Sequence, residues 1–95
     1  MTKVEPAIYD DLTPKQRRAI REQYAISQKG LCMHCNERLD LPPPKRITTM
    51  KINWRRFPPN FLKYLVHLQH DHKTGLTEGA VHSYCNAVLW QYHGR

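Results

Sequence analysis

Two groups of side chains in this sequence have the types and spacing for chemistry. Cys32-Met-His-Cys35 is a C-x2-C knuckle, and two thiolates so spaced can grip one tetrahedral ion. A knuckle needs a second ligand pair elsewhere in the chain. His82-Ser-Tyr-Cys85 offers one, because residues three apart on a helix share a face. Cys32, Cys35, His82 and Cys85 would then form a closed structural zinc site, with no position left open for a reacting water. Using His34 instead of His82 would strain the knuckle. The plain alternative is two buried free thiols and an unrelated Cys85. Redox chemistry at the knuckle lacks a surrounding βαβ pattern. The second group is His67-Leu-Gln-His70-Asp-His72, three histidines within six residues. Neutral imidazole takes a proton from water near neutral pH, so a histidine here is a natural general base. Along a strand, residues 68, 70 and 72 share one face and 67 and 69 the other.

The elements that must position these groups can be read from the pattern. Thr13-Pro14 reads as a helix N-cap and first helical position, and Gly30 as a C-cap, which predicts a helix over 14–29. Ile20, Tyr24 and Ile26 would supply its apolar face. Lys15, Arg17, Arg18 and Arg21 form a basic face, read first as solvated and second as a phosphate contact. Residues 1–12 read as a flexible lead-in. Residues 61–70 have strand-type content, DHKTG supplies a turn, and LTEGAV returns as a second strand. Residues 82–92 read as a helix with Val88, Leu89 and Tyr92 in the core.

Between knuckle and hairpin lies a basic, proline-rich loop, 41–60. Pro42, Pro43 and Pro44 exclude a regular helix there. No acidic residue occurs between Asp40 and Asp71, whereas Lys45, Arg46, Lys51, Arg55, Arg56 and Lys63 do, with Trp54 and Phe57 among them. Cations interleaved with aromatics suit a nucleic-acid groove; a solvated loop with Trp54 tucked against the core is the bland equivalent.

The chain has 95 residues, room for one domain with a small core that a metal staple would help to fold. Its net charge of +7 and pI of about 9.6 favour a polyanionic partner. Three cysteines cannot all pair within one chain, no secretory leader is visible and no apolar run could span a bilayer. A cytoplasmic protein with reduced thiols and no membrane partner is the expectation.

HLQHDHKTGLTEGAVHSYCNAVL, with QKGLCMHC upstream, resembles the core of phage recombination endonuclease VII-like nucleases of the HNH (ββα-metal, His-Me finger) class. The resemblance covers 14–40 and 64–92. It implies an α+β fold: a small zinc-stapled ββα-metal domain with an N-terminal helix and a long basic loop. It also implies a DNA endonuclease of phage or mobile-element origin, acting in the host cytoplasm, with a partner protein from the same element as an option. His70 matches the general base and Asn86 the helix residue that binds a catalytic Mg²⁺ or Mn²⁺. Gln69 stands where the family has a metal-binding Asp. His72 matches the last strand histidine, which contacts phosphate or supports the site, while His67 and Asp71 match supporting polar positions. His82 replaces the usual first cysteine of the second pair, and Leu89 stands where some relatives carry an acid. A junction-resolving activity is less expected than nicking, since the C-terminal dimerisation region of such relatives has no counterpart before Arg95. A non-catalytic zinc DNA-binding module and a protein–protein adaptor are the other function classes.

Overall fold

The computed structural model describes residues 4–94. Helix α1, Pro14–Ser27, opens on a full capping box: the Thr13 hydroxyl accepts from the Gln16 amide, and the Gln16 side chain accepts from the Thr13 amide. The helix ends two residues before the predicted limit. Gly30 N–H reaches back to the Ala25 carbonyl and Lys29 N–H to that of Ile26, the paired bonds of a Schellman motif. Lys29 itself takes the left-handed position (φ 58°), with Gly30 following at φ 76°. Tyr24 is buried and Ile20 half-buried, but Ile26 is 79% exposed. Two residues on from Tyr24 is about 200° around the helix, so Ile26 falls off the apolar face.

Strand β1 (Val66–His70) and strand β2 (Thr77–His82) pair antiparallel. The register runs from Val66 opposite His82 to Gln69 opposite Gly79, then slips so that His70 faces Thr77. Glu78 is the extra residue of this bulge, which adds twist at the end of the ribbon. Helix α3, Ser83–His93, starts immediately after β2 and ends at Gly94 in the left-handed conformation. Val88 and Leu89 are buried as expected, whereas Tyr92 is exposed and its hydroxyl donates to the Lys51 carbonyl.

The lead-in is not loose over its described residues, 4–12; residues 1–3 lie outside them. Ala7 and Thr77 exchange hydrogen bonds, Tyr9 N–H donates to the Gly75 carbonyl, and Ile8 bridges to Leu76. This segment lies against the β1–β2 turn because the edge amide of Thr77 and the carbonyl of Gly75 take their backbone partners from it.

The proline-rich stretch is also more regular than expected. A one-turn helix, α2 (Lys45–Thr48), begins directly after Pro44, whose φ of −67° suits an N-cap. Ile47 is buried through it. A 3-10 turn follows at Trp54–Arg56, capped by the Asn53 side chain. Helix α3 holds the intervening loop: Tyr84 Oη donates to the Thr48 and Met50 carbonyls, and the Gln91 amide binds both Asn53 N–H and the Lys51 carbonyl.

Small side chains and sulfur dominate the core: Cys32, Cys35, Cys85, Ala80, Ala87, Val81 and Val88, with Leu39, Leu68, Leu89 and Tyr24 around them. Gln28 ties α1 to β2, its amide accepting from Ala80 N–H and donating to the Ala80 and Leu31 carbonyls. Gly79 permits that approach. A Cβ there would lie 2.7 Å from Met33 Sδ and 2.8 Å from Gln28 Oε1. No helix among the described residues is long and apolar enough to cross a membrane.

Candidate metal centre and histidine cleft

The knuckle is a tight loop clasped by the Leu31–Arg38 bridge. Asn36 N–H returns to the Cys32 carbonyl, with Asn36 at φ 64°. Met33 N–H bonds to Ala80 O, which seats the loop against β2. His82, the last residue of β2, and Cys85, in the first turn of α3, complete the group. The ligand atoms of Cys32, Cys35, His82 and Cys85 all lie within 4.8 Å of one another, and all four residues are buried. His34 is not among them; its ring lies by that of His93.

The His82 ring shows what this cluster can do. Nε2 lies 2.9 Å from the Arg38 carbonyl and 2.8 Å from that of Leu41. Carbonyls only accept, so Nε2 carries a proton and Nδ1 is the nitrogen that faces the sulfurs. Nδ1 is 3.4 Å from Cys35 Sγ and 3.8 Å from Cys85 Sγ. A metal-ligating histidine is commonly held this way, its second nitrogen fixed by a backbone oxygen. His82 N–H also points at Cys32 Sγ, 3.4 Å away.

Charge points the same way. The Cys32 thiol is drawn down to about 4, chiefly by a hydrogen bond from Cys85 and then by backbone amides, against the opposing effect of burial. Cys85 is pushed up by donating that bond and by burial, and Cys35 is pushed up mainly by burial. A dication would let all three ionise. The three thiols are free of disulfides, and the cluster could hold a structural metal.

A second site lies where the hairpin meets α3. A cleft of about 460 Å³ is lined by His67, His70 and His72, by Asn86, and by Arg17, Arg21 and Arg56. Rings supply much of the remaining wall. The Asn86 amide lies 3.2 Å from His67 Nδ1. Trp90 Nε1–H donates to His72 Nε2 at 2.6 Å. His70 stacks on Tyr9, ring centroids 4.0 Å apart, and meets His72 edge-on. Partial burial, then the neighbouring His72, press the His70 pKa below its ordinary value; Arg17 adds to this, while Asp10 and Asp71 oppose it. Burial likewise lowers that of His67.

Two expectations need correction. Gln69 does not line the cleft: it is 1% exposed, and its Nε2 donates to the His70 carbonyl. The side chain against Asn86 is His67, from the face expected to be separate from that of His70 and His72. In a short ribbon twisted by a bulge, residues of both parities reach one cleft. Among Lys45, Arg46, Lys51, Arg55, Arg56 and Lys63, only Arg56 lines it. Arg46 is engaged elsewhere, donating to the Cys35 carbonyl at 2.6 Å, and the other four are exposed. Trp54 meets the edge of Tyr84 while staying 40% exposed.

Sequence reasoning did not assign Tyr9 to the site, and ranked Arg17 and Arg21 as solvated first. The four-residue spacing of Arg17 and Arg21 on one helix was the available signal. Comparison with protein-family models, with characterised proteins and with solved structures finds no match for this chain.

Proposed function

We propose that this protein is a metal-dependent DNA endonuclease of the ββα-metal type, with zinc as the ion of the cysteine–histidine cluster. The observation that carries the reading is the convergence of three histidines, an asparagine and three arginines on one cleft at a hairpin–helix junction. Three sulfurs and one imidazole nitrogen are a zinc donor set, and its closed character makes that ion a staple. Arg17, Arg21 and Arg56 would neutralise the backbone phosphates. His70, kept neutral by its surroundings, would take the proton from a water whose oxygen attacks the phosphorus; the P–O bond to the 3′-oxygen then breaks.

The resemblance also implies a catalytic divalent ion. Asn86 and His67 are the side chains that would hold it, since Gln69 is turned away and no carboxylate is among the described residues that line the cleft. An amide oxygen with an imidazole suits Mn²⁺ better than Mg²⁺, which prefers oxygen ligands alone. Bound there, such an ion would supply charge to the transition-state phosphate and the leaving oxygen.

The missing carboxylate favours a second reading, a non-catalytic zinc DNA-binding module. Plasmid cleavage separates the two. Zinc-loaded protein is incubated without added metal, with Mg²⁺ and with Mn²⁺, beside His70→Ala. Metal-dependent nicking, stronger with Mn²⁺ and reduced about 10²–10⁴-fold in His70→Ala, is expected. Salt-sensitive DNA binding without cleavage in either metal would leave only the binding module.

A further inference from the structure

The wall of the histidine cleft holds far more ring surface than phosphate chemistry requires. Phe61 and Phe57 have centroids 4.8 Å apart, Phe57 and Trp90 6.2 Å, and Trp90 and His72 4.7 Å. The series continues through His70 to Tyr9, whose ring is covered by the Arg17 guanidinium at 3.9 Å. On the other side Phe61 meets His67 edge-on at 4.8 Å. Tyr64 stands at the rim, 65% exposed, with Lys63 beside its ring. Phe57, Phe61 and Tyr64 come from the segment between the 3-10 turn and β1, outside the region of the family resemblance for the first two.

A phosphodiester gains little from such a wall, because its oxygens need cations and N–H donors. A planar base gains from stacking on rings, but only if its own faces are open. In a duplex those faces are covered by neighbouring base pairs. The cleft is concave and about 460 Å³, within the ~300–1,000 Å³ of small-ligand sites, so it has room for an inserted base. Cations stand on the same wall: Arg17, Arg21 and Arg56. Rings for a base and guanidinium groups for its phosphate, in one cleft, are complementary to a nucleotide outside a duplex.

We propose that the cleft takes an unpaired nucleotide, its base held among Phe57, Phe61 and Tyr64 and its phosphate by the arginines beside His70, so that single-stranded or locally unpaired DNA is the preferred substrate. The inference rests on the nuclease reading for the role of His70 but not for binding. Sequence tolerance follows, since every base has a stacking face.

The test is fluorescence anisotropy with zinc-loaded full-length protein and neither Mg²⁺ nor Mn²⁺ added, so that nothing is cut. Three labelled probes of equal length are compared: oligothymidylate, the same strand with abasic sites, and a blunt duplex. Oligothymidylate is expected to bind at least about tenfold more tightly than either of the others. Tyr64→Ala, at an exposed position, and Phe57→Ala should each weaken oligothymidylate about fivefold or more and leave the duplex unchanged. Equal affinity for strand and duplex, or for the abasic strand and oligothymidylate, overturns the inference while leaving the nuclease reading intact. Strand preference without cleavage in the plasmid assay supports the inference and removes the nuclease reading. Binding to none of the three probes overturns both.

Discussion

At the scale of single residues, His70 and Gln69 are adjacent in sequence and opposite in circumstance. His70 borders the cleft beneath Tyr9, facing His72, Asp10, Asp71 and Arg17, and the balance of burial and charge lowers its pKa. A base must be neutral to work, so a lowered pKa extends activity toward acid. The cleavage rate should therefore reach half its plateau at a pH below 6.5, the ordinary histidine value. A rate profile that already halves at 6.5 would remove this assignment. The sign for stability is opposite in consequence. The unfolded chain takes up the proton first, so the contribution of His70 is present above 6.5 and is lost as pH falls below it. Gln69 has one partner, the His70 carbonyl, for its Nε2, and its Oε1 has none. Gln69→Asp, which a ligand role would make favourable to metal binding, should instead place a carboxylate in the interior. Thermal melts should show a loss of about 2 kcal/mol or more, and calorimetry no gain in Mn²⁺ affinity.

At the scale of elements, close contact between α1, the knuckle and β2 is what brings the two sites within one small fold. Gly79 is the position that admits it, opposite Gln69 and under Met33 and Gln28. Its need arises from proximity, since no positive φ is involved. Gly79→Ala should therefore cost about 1–3 kcal/mol in urea unfolding, by pushing against Gln28 and the knuckle. An unchanged midpoint would mean that Met33 and Gln28 rotate away freely. Helix α3 serves both sites from different faces: Cys85 to the cluster, Asn86 and Trp90 to the cleft. Adjacent positions on a helix are about 100° apart, which is how consecutive residues reach separate sites.

For the molecule as a whole, the cluster joins the knuckle, the end of β2 and the start of α3, while the buried apolar core around it is small: Tyr24, Leu39, Ile47, Leu68, Ala80, Val81, Ala87, Val88 and Leu89. Such a domain has little hydrophobic reserve, and metal binding free energy becomes folding free energy. Removing zinc with a strong chelator should abolish cooperative unfolding and collapse the circular dichroism signal; adding zinc back should restore both. Cys35→Ser should behave like the chelated protein. A melt insensitive to chelator would show that the apolar core suffices without metal.

Local chemistry was legible in the sequence. The N-cap and first helical position at Thr13-Pro14, the DHKTG turn and the paired ligand spacings each depend on residues a few positions apart, and such patterns carry their own geometry. The same holds for the α+β order of helix, knuckle, hairpin and helix, and for the four residues of the metal cluster. Tertiary structure alone decided the rest, because it depends on contacts between distant segments. The packing of α3 against the hairpin determines that His67, and not Gln69, meets Asn86. Hydrogen bonds to Thr77 and Gly75 order residues 7–9 and bring Tyr9 over His70. The placement of α1 turns Arg17 and Arg21 into cleft residues, while the fold engages Arg46 at the knuckle. Charge counted along the chain could not separate these arginines, since what distinguishes them is the surface each one faces.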